Sequence, residues 1–155
     1  MDYIQLPLKY VYSKTLSQAR TLVDKSLGSG YFYEHLSDVN NVWLCYDDDD
    51  LIAWATTSQK DEYAILKSLV IHQDYRRKGI GKRMTKLRLA FLKILGIKKV
   101  RSYAWVHKNG DCPSCKNLET LGFVTIEDRF NYYKTYCPDC GDECNCVARV
   151  LEKIL

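Results

Sequence analysis

Residues 69–81 read LVIHQDYRRKGIG, and they join a predicted strand to a predicted helix through a basic turn. Leu69, Val70 and Ile71 are apolar and partly β-branched, which favours a strand half-buried in a sheet. After the turn, apolar residues recur at steps of four and three, which is the spacing of one helix face. These residues are Ile80, Met84, Leu87, Phe91 and Ile94. The stretch therefore predicts a strand, a short turn and a helix that begins near residue 80.

The turn has the composition of a phosphate-binding site. It consists of Arg76, Arg77, Lys78, Gly79, Ile80, Gly81 and Lys82. The first turn of a helix carries N–H groups without internal partners and the positive end of the helix dipole, so a phosphate placed there gains several hydrogen bonds. The two glycines leave the backbone open, and the cations add charge-assisted contacts. The spacing is not G-x-x-x-x-G-K-[ST], which excludes a Walker-type nucleotide loop.

This stretch resembles the coenzyme-A-binding motif of the GNAT superfamily of N-acetyltransferases, R/Q-x-x-G-x-G/A. Arg76, Gly79 and Gly81 occupy its three defining positions, while Gln73 stands where the family often has proline. The resemblance continues downstream, with Trp105 near the end of a second strand and ETLGF at 119–123 as the family's E-x-L-G-F helix end. It implies an acetyl-CoA-dependent N-acetyltransferase.

The predicted elements and the resemblance together imply an α+β fold with a mixed, mostly antiparallel sheet flanked by helices. Strands are predicted at 4–12, 42–46, 51–55, 69–71, 100–106, 124–136 and 147–155, and further helices at 16–23 and 113–121. In the GNAT fold, two parallel strands splay apart around coenzyme A, here those of Leu69 and Tyr103. The resemblance implies that pantetheine pairs with the backbone of Leu69, Val70 and Ile71, and that the phosphates lie on residues 76–82.

Length and composition limit the class of protein to which the chain can belong. A chain of 155 residues with 46% hydrophobic residues is predicted to form one domain, residues 1–155, with a full core. Apolar runs are too short for a membrane span or signal peptide, so a cytoplasmic protein is expected. The net charge of +4 is explained by coenzyme A and does not require nucleic acid. The oligomeric state is open, with a homodimer among the assemblies considered.

Six of the seven cysteines follow residue 110 in C-x-x-C and C-x-C spacings. Such spacings favour a metal over a disulfide framework, with disulfides as the alternative. Cys112, Cys115, Cys137 and Cys140 form two C-x-x-C pairs, which predicts a structural Zn²⁺ site that spans 112–115 and 137–146. Cys144 and Cys146 are alternate ligands. Cys45 lies in a predicted strand and is assigned to the core.

Acetyl transfer needs a route for a proton to leave the amine and another to reach the thiolate. In many GNAT enzymes a tyrosine four residues before the glycine of the G-F pair protonates the thiolate, and Leu118 stands at that position here. The predicted catalytic residues are therefore His107, just past the strand that flanks the thioester, and Tyr103 on that strand. Tyr132 and Tyr133 are weaker candidates for the acid.

Two functions remain open at this point. The first is transfer of an acetyl group from acetyl-CoA to a primary amine of an unidentified acceptor, on a protein or a small molecule. The second is a catalytically inactive acetyl-CoA-binding or zinc-stabilised interaction module, which Leu118 favours. The aromatic segment at 31–35 is predicted to line the acceptor pocket, with ordinary packing on the sheet as the alternative.

Overall fold

The structure is a computed structural model that describes residues 1–133 and 137–155. Its strands are β1 (Asp2–Pro7), β2 (Asn41–Asp47), β3 (Asp50–Gln59), β4 (Ala64–Ile71), β5 (Lys99–Val106), β6 (Val124–Arg129) and β7 (Val147–Ile154). Its helices are α1 (Ser13–Leu27), α2 (Tyr31–Glu34), α3 (Ile80–Ile94) and α4 (Pro113–Glu119). The strands form one sheet in the order β1-β2-β3-β4-β5-β7-β6, in which only β4 and β5 run parallel. This confirms the predicted mixed, mostly antiparallel α+β fold.

Alternation along β2 shows how the sheet divides the core into two layers. Val42 and Leu44 pack in a cluster with residues of α1, whereas Trp43 and Cys45 pack in another with residues of α3. Successive side chains of a strand point to opposite faces, so α1 and α3 cover opposite sides of the sheet. Cys45 is fully buried in the second layer, as predicted.

The central parallel pair separates soon after it forms. Only residues 64–66 of β4 pair with residues 100–102 of β5. On the other side of β4, a bulge places Lys67 and Ser68 opposite Thr56 alone in β3. A bulge bends its strand and increases the local twist, so β4 leaves β5 at this point. The predicted splayed pair is therefore present, with a gap between the two strands beyond Leu66.

Two strands are shorter than predicted. β1 ends at Pro7, because proline has no N–H to continue the ladder and the chain enters a 3₁₀ turn at Leu8–Tyr10. β6 ends at Arg129, because Asn131 adopts a φ of +53° in a turn. The last part of the predicted strand, 134–136, lies outside the described residues.

The buried face of α3 also differs from the predicted one. Leu87 and Ile94 are 38% and 84% exposed, whereas Arg88 and Leu92 are buried. The predicted face consists of apolar residues alone, whereas Arg88 lies on the buried face because its guanidinium bonds to carbonyl oxygens of the sheet. Among the described residues, no helix is both long enough and apolar enough to cross a membrane.

Candidate active site

The basic turn between β4 and α3 presents an open helix N-terminus. Gly79 precedes the helix with a φ of +80°, and no side chain among residues 1–133 and 137–155 caps the first turn. The N–H groups of that turn have no partner within the helix. Arg77 and Lys78 are exposed beside it. The turn therefore offers the backbone donors and the positive charge that the sequence predicted for a phosphate.

A hydrogen bond and close packing fix the turn to the end of β4. Nε of Arg76 donates to the carbonyl oxygen of Ile71 at 3.0 Å, which ties the turn to the end of β4. A Cβ on Gly81 would lie only 3.0 Å from Cδ1 of Ile71, so the helix start packs closely on the same strand. A Cβ on Gly79 would meet nothing within 4 Å. Gly79 thus leaves space on the solvent side, where a phosphate would approach.

The gap between β4 and β5 leads into a cavity in the middle of the protein. Its lining comes from both splayed strands, from the four helices α1 to α4, and from the segment between β6 and β7, which we call the C-terminal loop. The lining residues are Leu27, Tyr31, Lys67, Ser68, Leu69, Thr85, Arg88, Ser102, Tyr103, Ala104, Trp105, Ser114, Asn117, Leu118, Tyr133 and Cys137. Of the predicted pantetheine contacts, Leu69 lines the cavity, Val70 is buried in the α1 core and Ile71 packs in the α3 layer.

Arg88 is a buried cation beneath the bulge of β4, and sequence reasoning missed it. Its side chain is 2% exposed, and Nη1 donates to the carbonyl oxygens of Thr56 at 3.2 Å and Ser68 at 3.4 Å. Nη2 donates to Thr85 Oγ1 at 3.2 Å. Burial lowers the pKa of Arg88 to about 9, so the guanidinium stays charged at neutral pH. The sequence feature that could have revealed its burial is its position, four residues after Met84 on the buried face of α3.

Three tyrosines, Tyr31, Tyr103 and Tyr133, contribute to the cavity wall. Tyr103 also stacks on Tyr132, with ring centroids 5.4 Å apart and the planes 5° from parallel. Desolvation raises the pKa values of Tyr31 and Tyr133 well above the usual range. Their hydroxyl groups therefore remain protonated at neutral pH and can act as donors.

The aromatic segment at 31–35 is divided between several environments. Tyr31 lines the cavity, and His35 stacks on it with ring centroids 3.9 Å apart. Phe32 is buried against Trp54 in the core, whereas Tyr33 is 61% exposed. Tyr31 therefore has the predicted lining role, and Phe32 has the alternative one of packing on the sheet.

A second depression shares Tyr31 and Tyr103 with the cavity wall. Asp38 lies in this depression and pairs with two lysines. Lys60 donates to Asp38 at 2.9 Å, and Lys67 donates to the other carboxylate oxygen. Desolvation raises the pKa of Asp38, but the hydrogen bonds from both lysines outweigh it and lower the value to about 2. Asp38 thus holds Lys67 at the cavity wall.

We expect Asp38→Asn to lower the free energy of unfolding at pH 7 by about 1 kcal/mol, a value reduced for the solvent screening of a partly exposed group. The folded-state pKa lies below the ordinary 3.8, so the stabilisation is present above pH 4 and is lost as the pH falls toward 2. Urea unfolding at several pH values measures the difference. The exposed turn variant Asp61→Asn is the control and should show no such pH dependence. A constant difference down to pH 2 would contradict the ion-pair origin.

His107 does not line the cavity, in contrast to the role predicted for it. Its Nδ1 lies 3.0 Å from Oδ2 of Asp139, and the same oxygen accepts from the backbone N–H of Lys108 at 3.2 Å. The ring packs on Trp105, with centroids 4.0 Å apart. His107 therefore fastens the C-terminal loop to the end of β5. Tyr103, the other predicted catalytic residue, does reach the cavity.

From this geometry we expect His107→Ala to keep turnover within about threefold of wild type. Its melting temperature should fall by about 2–4 °C, because a contact of roughly 1 kcal/mol is lost in a domain of this size. Asp139→Ala should give at least this shift, because the N–H of Lys108 loses its acceptor as well, and the double variant should lose less than the sum of the two single ones. A fall in turnover of two to four decades would instead support the proton relay predicted from the sequence.

The cysteines fall into two separate groups. The Sγ atoms of Cys137, Cys140, Cys144 and Cys146 all lie within 4.8 Å of one another, an arrangement that could hold a metal ion. Cys112 and Cys115 are joined to each other by a disulfide. The structure therefore brings together Cys137, Cys140 and both alternate ligands, and it does not bring Cys112 and Cys115 into this group. For that pair the disulfide alternative holds.

The glycine-rich helix start lies beside two splayed parallel strands, and the cavity lies between them. The sequence model of the acetyltransferase (GNAT) family matches residues 12–123, which is more than half of the chain. The chain therefore belongs to the GNAT family of acetyltransferases, and the resemblance seen in the sequence is confirmed. No curated protein matches the chain.

Many solved structures share the fold. The ribosomal-protein-S18-alanine N-acetyltransferase of Escherichia coli superposes with a TM-score of 0.75 at 16% identity, over 99% of this chain and 94% of that one. A GNAT family acetyltransferase of Elizabethkingia anophelis with acetyl-CoA bound gives 0.72 at 16% identity, over 99% and 98%. An aminoglycoside 6'-N-acetyltransferase complexed with coenzyme A gives 0.75 at 12% identity, over 97% and 96%. At these identities the likeness concerns the fold alone.

Proposed function

We propose that the protein is an N-acetyltransferase that transfers the acetyl group of acetyl-CoA to a primary amine. The observation that carries the proposal is the arrangement of one strand–turn–helix unit: β4 has no β5 partner beyond Leu66, Leu69 lines the cavity, and the open turn at 76–82 follows the end of β4. A phosphate on the turn and a chain along Leu69–Ile71 would bring a thioester into that cavity. Membership of the acetyltransferase family supports the same assignment.

The cavity supplies donors for the leaving thiolate. When a neutral amine attacks the thioester carbonyl, the C–S bond breaks, the nitrogen loses one proton as the amide forms, and the thiolate takes one proton up, so no net proton is consumed. Leu118 lines the cavity and has no proton to give. Tyr31, Tyr103 and Tyr133 lie in the same wall, each with a phenolic hydroxyl that can donate, so one of them is the proposed acid.

The acceptor enters as a neutral amine in this proposal. The cavity lining within the described residues contains no carboxylate and no histidine, so no side chain there is suited to remove a proton from an ammonium group. Lys67 and Arg88 are both at the wall, and nearby positive charge lowers the pKa of an amine. The cavity therefore selects the deprotonated form of its acceptor.

The charge of the adjoining depression narrows the acceptor class. Within the described part of the chain its lining includes three cations, Lys60, Lys67 and Arg129, and one carboxylate, Asp38. Asp38 pairs with both lysines and Glu127 pairs with Arg129, so one positive charge is left over. Such a surface repels a polycation and accommodates a neutral or acidic group beside the amine. We infer that a protein amino terminus or an amino-acid-like amine fits better than a polyamine.

Release of free coenzyme A across a panel of amines tests the proposal. The panel contains peptides with acidic and basic second residues, lysine, amino acids and spermidine. We expect turnover with a peptide or amino-acid acceptor and a fall of at least tenfold in one of Tyr31→Phe, Tyr103→Phe or Tyr133→Phe. Tight acetyl-CoA binding without acceptor-dependent turnover would favour the inactive binding module, which Leu118 at the cavity wall supports.

A cytoplasmic location belongs to the proposal, because acetyl-CoA is its cosubstrate. A homodimer stays a prediction from the sequence, as does the treatment of residues 1–155 as one domain.

A further inference from the structure

The segment 137–146 contains four cysteines whose sulfur atoms are placed around a common centre. Sγ of Cys146 lies 3.8 Å from that of Cys137 and 3.4 Å from that of Cys140. A disulfide needs about 2.05 Å between sulfurs, so these contacts are not disulfides. Four thiolates at about 2.3 Å from one tetrahedral ion lie roughly 3.8 Å apart. The observed separations match a shared metal ion better than a covalent bond.

We propose that Cys137, Cys140, Cys144 and Cys146 bind one zinc ion in a closed four-thiolate site. A set of sulfur ligands in C-x₂-C and C-x-C spacing is typical of zinc, and four protein ligands leave no position for substrate. The ion is therefore structural. This site goes beyond the acetyl transfer proposed above and does not depend on it. It replaces the set predicted from the sequence, because Cys112 and Cys115 are bonded to each other.

The backbone around the first pair has the tight turn that such a site needs. The N–H of Cys137 donates to the carbonyl oxygen of Gly141 at 2.9 Å, and the N–H of Gly141 donates back to Cys137 at 2.8 Å. Gly141 has a φ of +81°, which a side chain would disfavour. This closed turn directs the thiols of Cys137 and Cys140 to the same side.

The segment has little apolar packing that could hold this shape by itself. Between Cys137 and Cys146, which are 5% and 4% exposed, no residue is buried. An ion that joins four points of a ten-residue segment supplies the cross-link that the packing lacks. The indole Nε1 of Trp105 is buried beside Cys146 and has no hydrogen-bond acceptor in the described part of the chain. A thiolate at Cys146 would give this N–H an acceptor.

The location gives the ion an architectural role. Cys137 lines the central cavity, and Asp139 accepts hydrogen bonds from the loop that follows β5. The metal-bound segment therefore contributes to the cavity wall at Cys137, and Asp139 holds the segment against the end of β5.

Metal content tests the site without reference to acetyl transfer. The full chain, purified without added metal and measured by mass spectrometry of the elements, should contain about one zinc per molecule. Cys144→Ser and Cys146→Ser should each lose most of it. The matched controls Cys112→Ser and Cys115→Ser should keep it. Loss in the Cys112→Ser variant with retention in Cys144→Ser would overturn the proposed ligand set, and a wild-type chain without zinc would overturn the site.

A second measurement on the wild-type chain covers the case in which a serine variant fails to fold. The native protein is titrated with an organomercurial that modifies its thiols, and released zinc is detected with a metal-sensitive dye. The zinc should be released as four thiols are modified. Release of no zinc, or thiols that react at once as free groups, would also overturn the site. Either result leaves the proposed acetyl transfer untouched, because neither readout uses it.

Discussion

Gly79→Asp is expected to weaken coenzyme A binding by roughly two to three decades. The carboxylate would stand at the open N-terminus of α3, where the pyrophosphate is proposed to lie. Two like charges about 4 Å apart repel by about 4 kcal/mol at the effective dielectric constant of a protein surface. Aspartate tolerates a positive φ better than most residues, so the helix start should survive the change. Calorimetric titration with coenzyme A measures the loss.

Gly96→Asp is the matched control for this experiment. Gly96 has a φ of +82°, close to the +80° of Gly79, and an added Cβ meets nothing within 4 Å at either position. The two variants therefore share the free-energy cost of a side chain at positive φ. They differ in position, because Gly79 precedes the N-terminus of α3 and Gly96 follows its C-terminus. Gly96→Asp should bind coenzyme A like wild type. Unchanged affinity in Gly79→Asp would place the phosphates elsewhere.

Arg88→Ala is expected to lower the free energy of unfolding by about 2–4 kcal/mol and to reduce turnover by at least tenfold. The change leaves a void and removes the donor from the carbonyl oxygens of Thr56 and Ser68. Part of the loss is offset because a buried charge is removed. The bulge that separates β4 from β5 then loses its support, and the cavity wall at Ser68 loses its fixed position. Chemical unfolding and steady-state kinetics measure the two effects.

Two further variants separate the causes. Arg83→Ala removes an exposed arginine of the same helix, whose guanidinium lies 4.6 Å from the ring centroid of Tyr3, and should cost less than about 1 kcal/mol. Arg88→Met fills much of the volume without donors. If Arg88→Met were as stable and as active as wild type, the hydrogen bonds to the bulge would have no role.

The fold was largely predictable because its signals are local. The strand at Leu69, the basic turn and the helix start follow one another within thirteen residues, and their order fixed the parallel pair. The parts that could not be predicted depend on long-range contacts. Arg88 is buried because the bulge of β4, formed by pairing with β3, leaves carbonyl oxygens for it to bond.

The same distinction explains the candidate site. Residues 76–82 are consecutive, so their common place at one helix start could be predicted from spacing. His107 was assigned to the chemistry because its strand flanks the gap, but Asp139, 32 residues later, draws its ring toward the C-terminal loop. For the cysteines, the spacing C-x-x-C at 112–115 and at 137–140 is the same, and only the path of the chain shows which pair has Cys144 and Cys146 as neighbours.

The separation of β4 from β5 creates an open sheet edge inside the protein. Beyond Leu66, the side of β4 that faces β5 has no strand partner among the described residues. An unpaired edge is a liability, because it can pair with another chain. If the cosubstrate occupies this edge, it completes the sheet as an added strand would. Binding then stabilises the native state by mass action, by about 2.7 kcal/mol when the ligand stands at a hundred times its Kd. The abundance of the folded protein would thus follow the supply of its own cosubstrate.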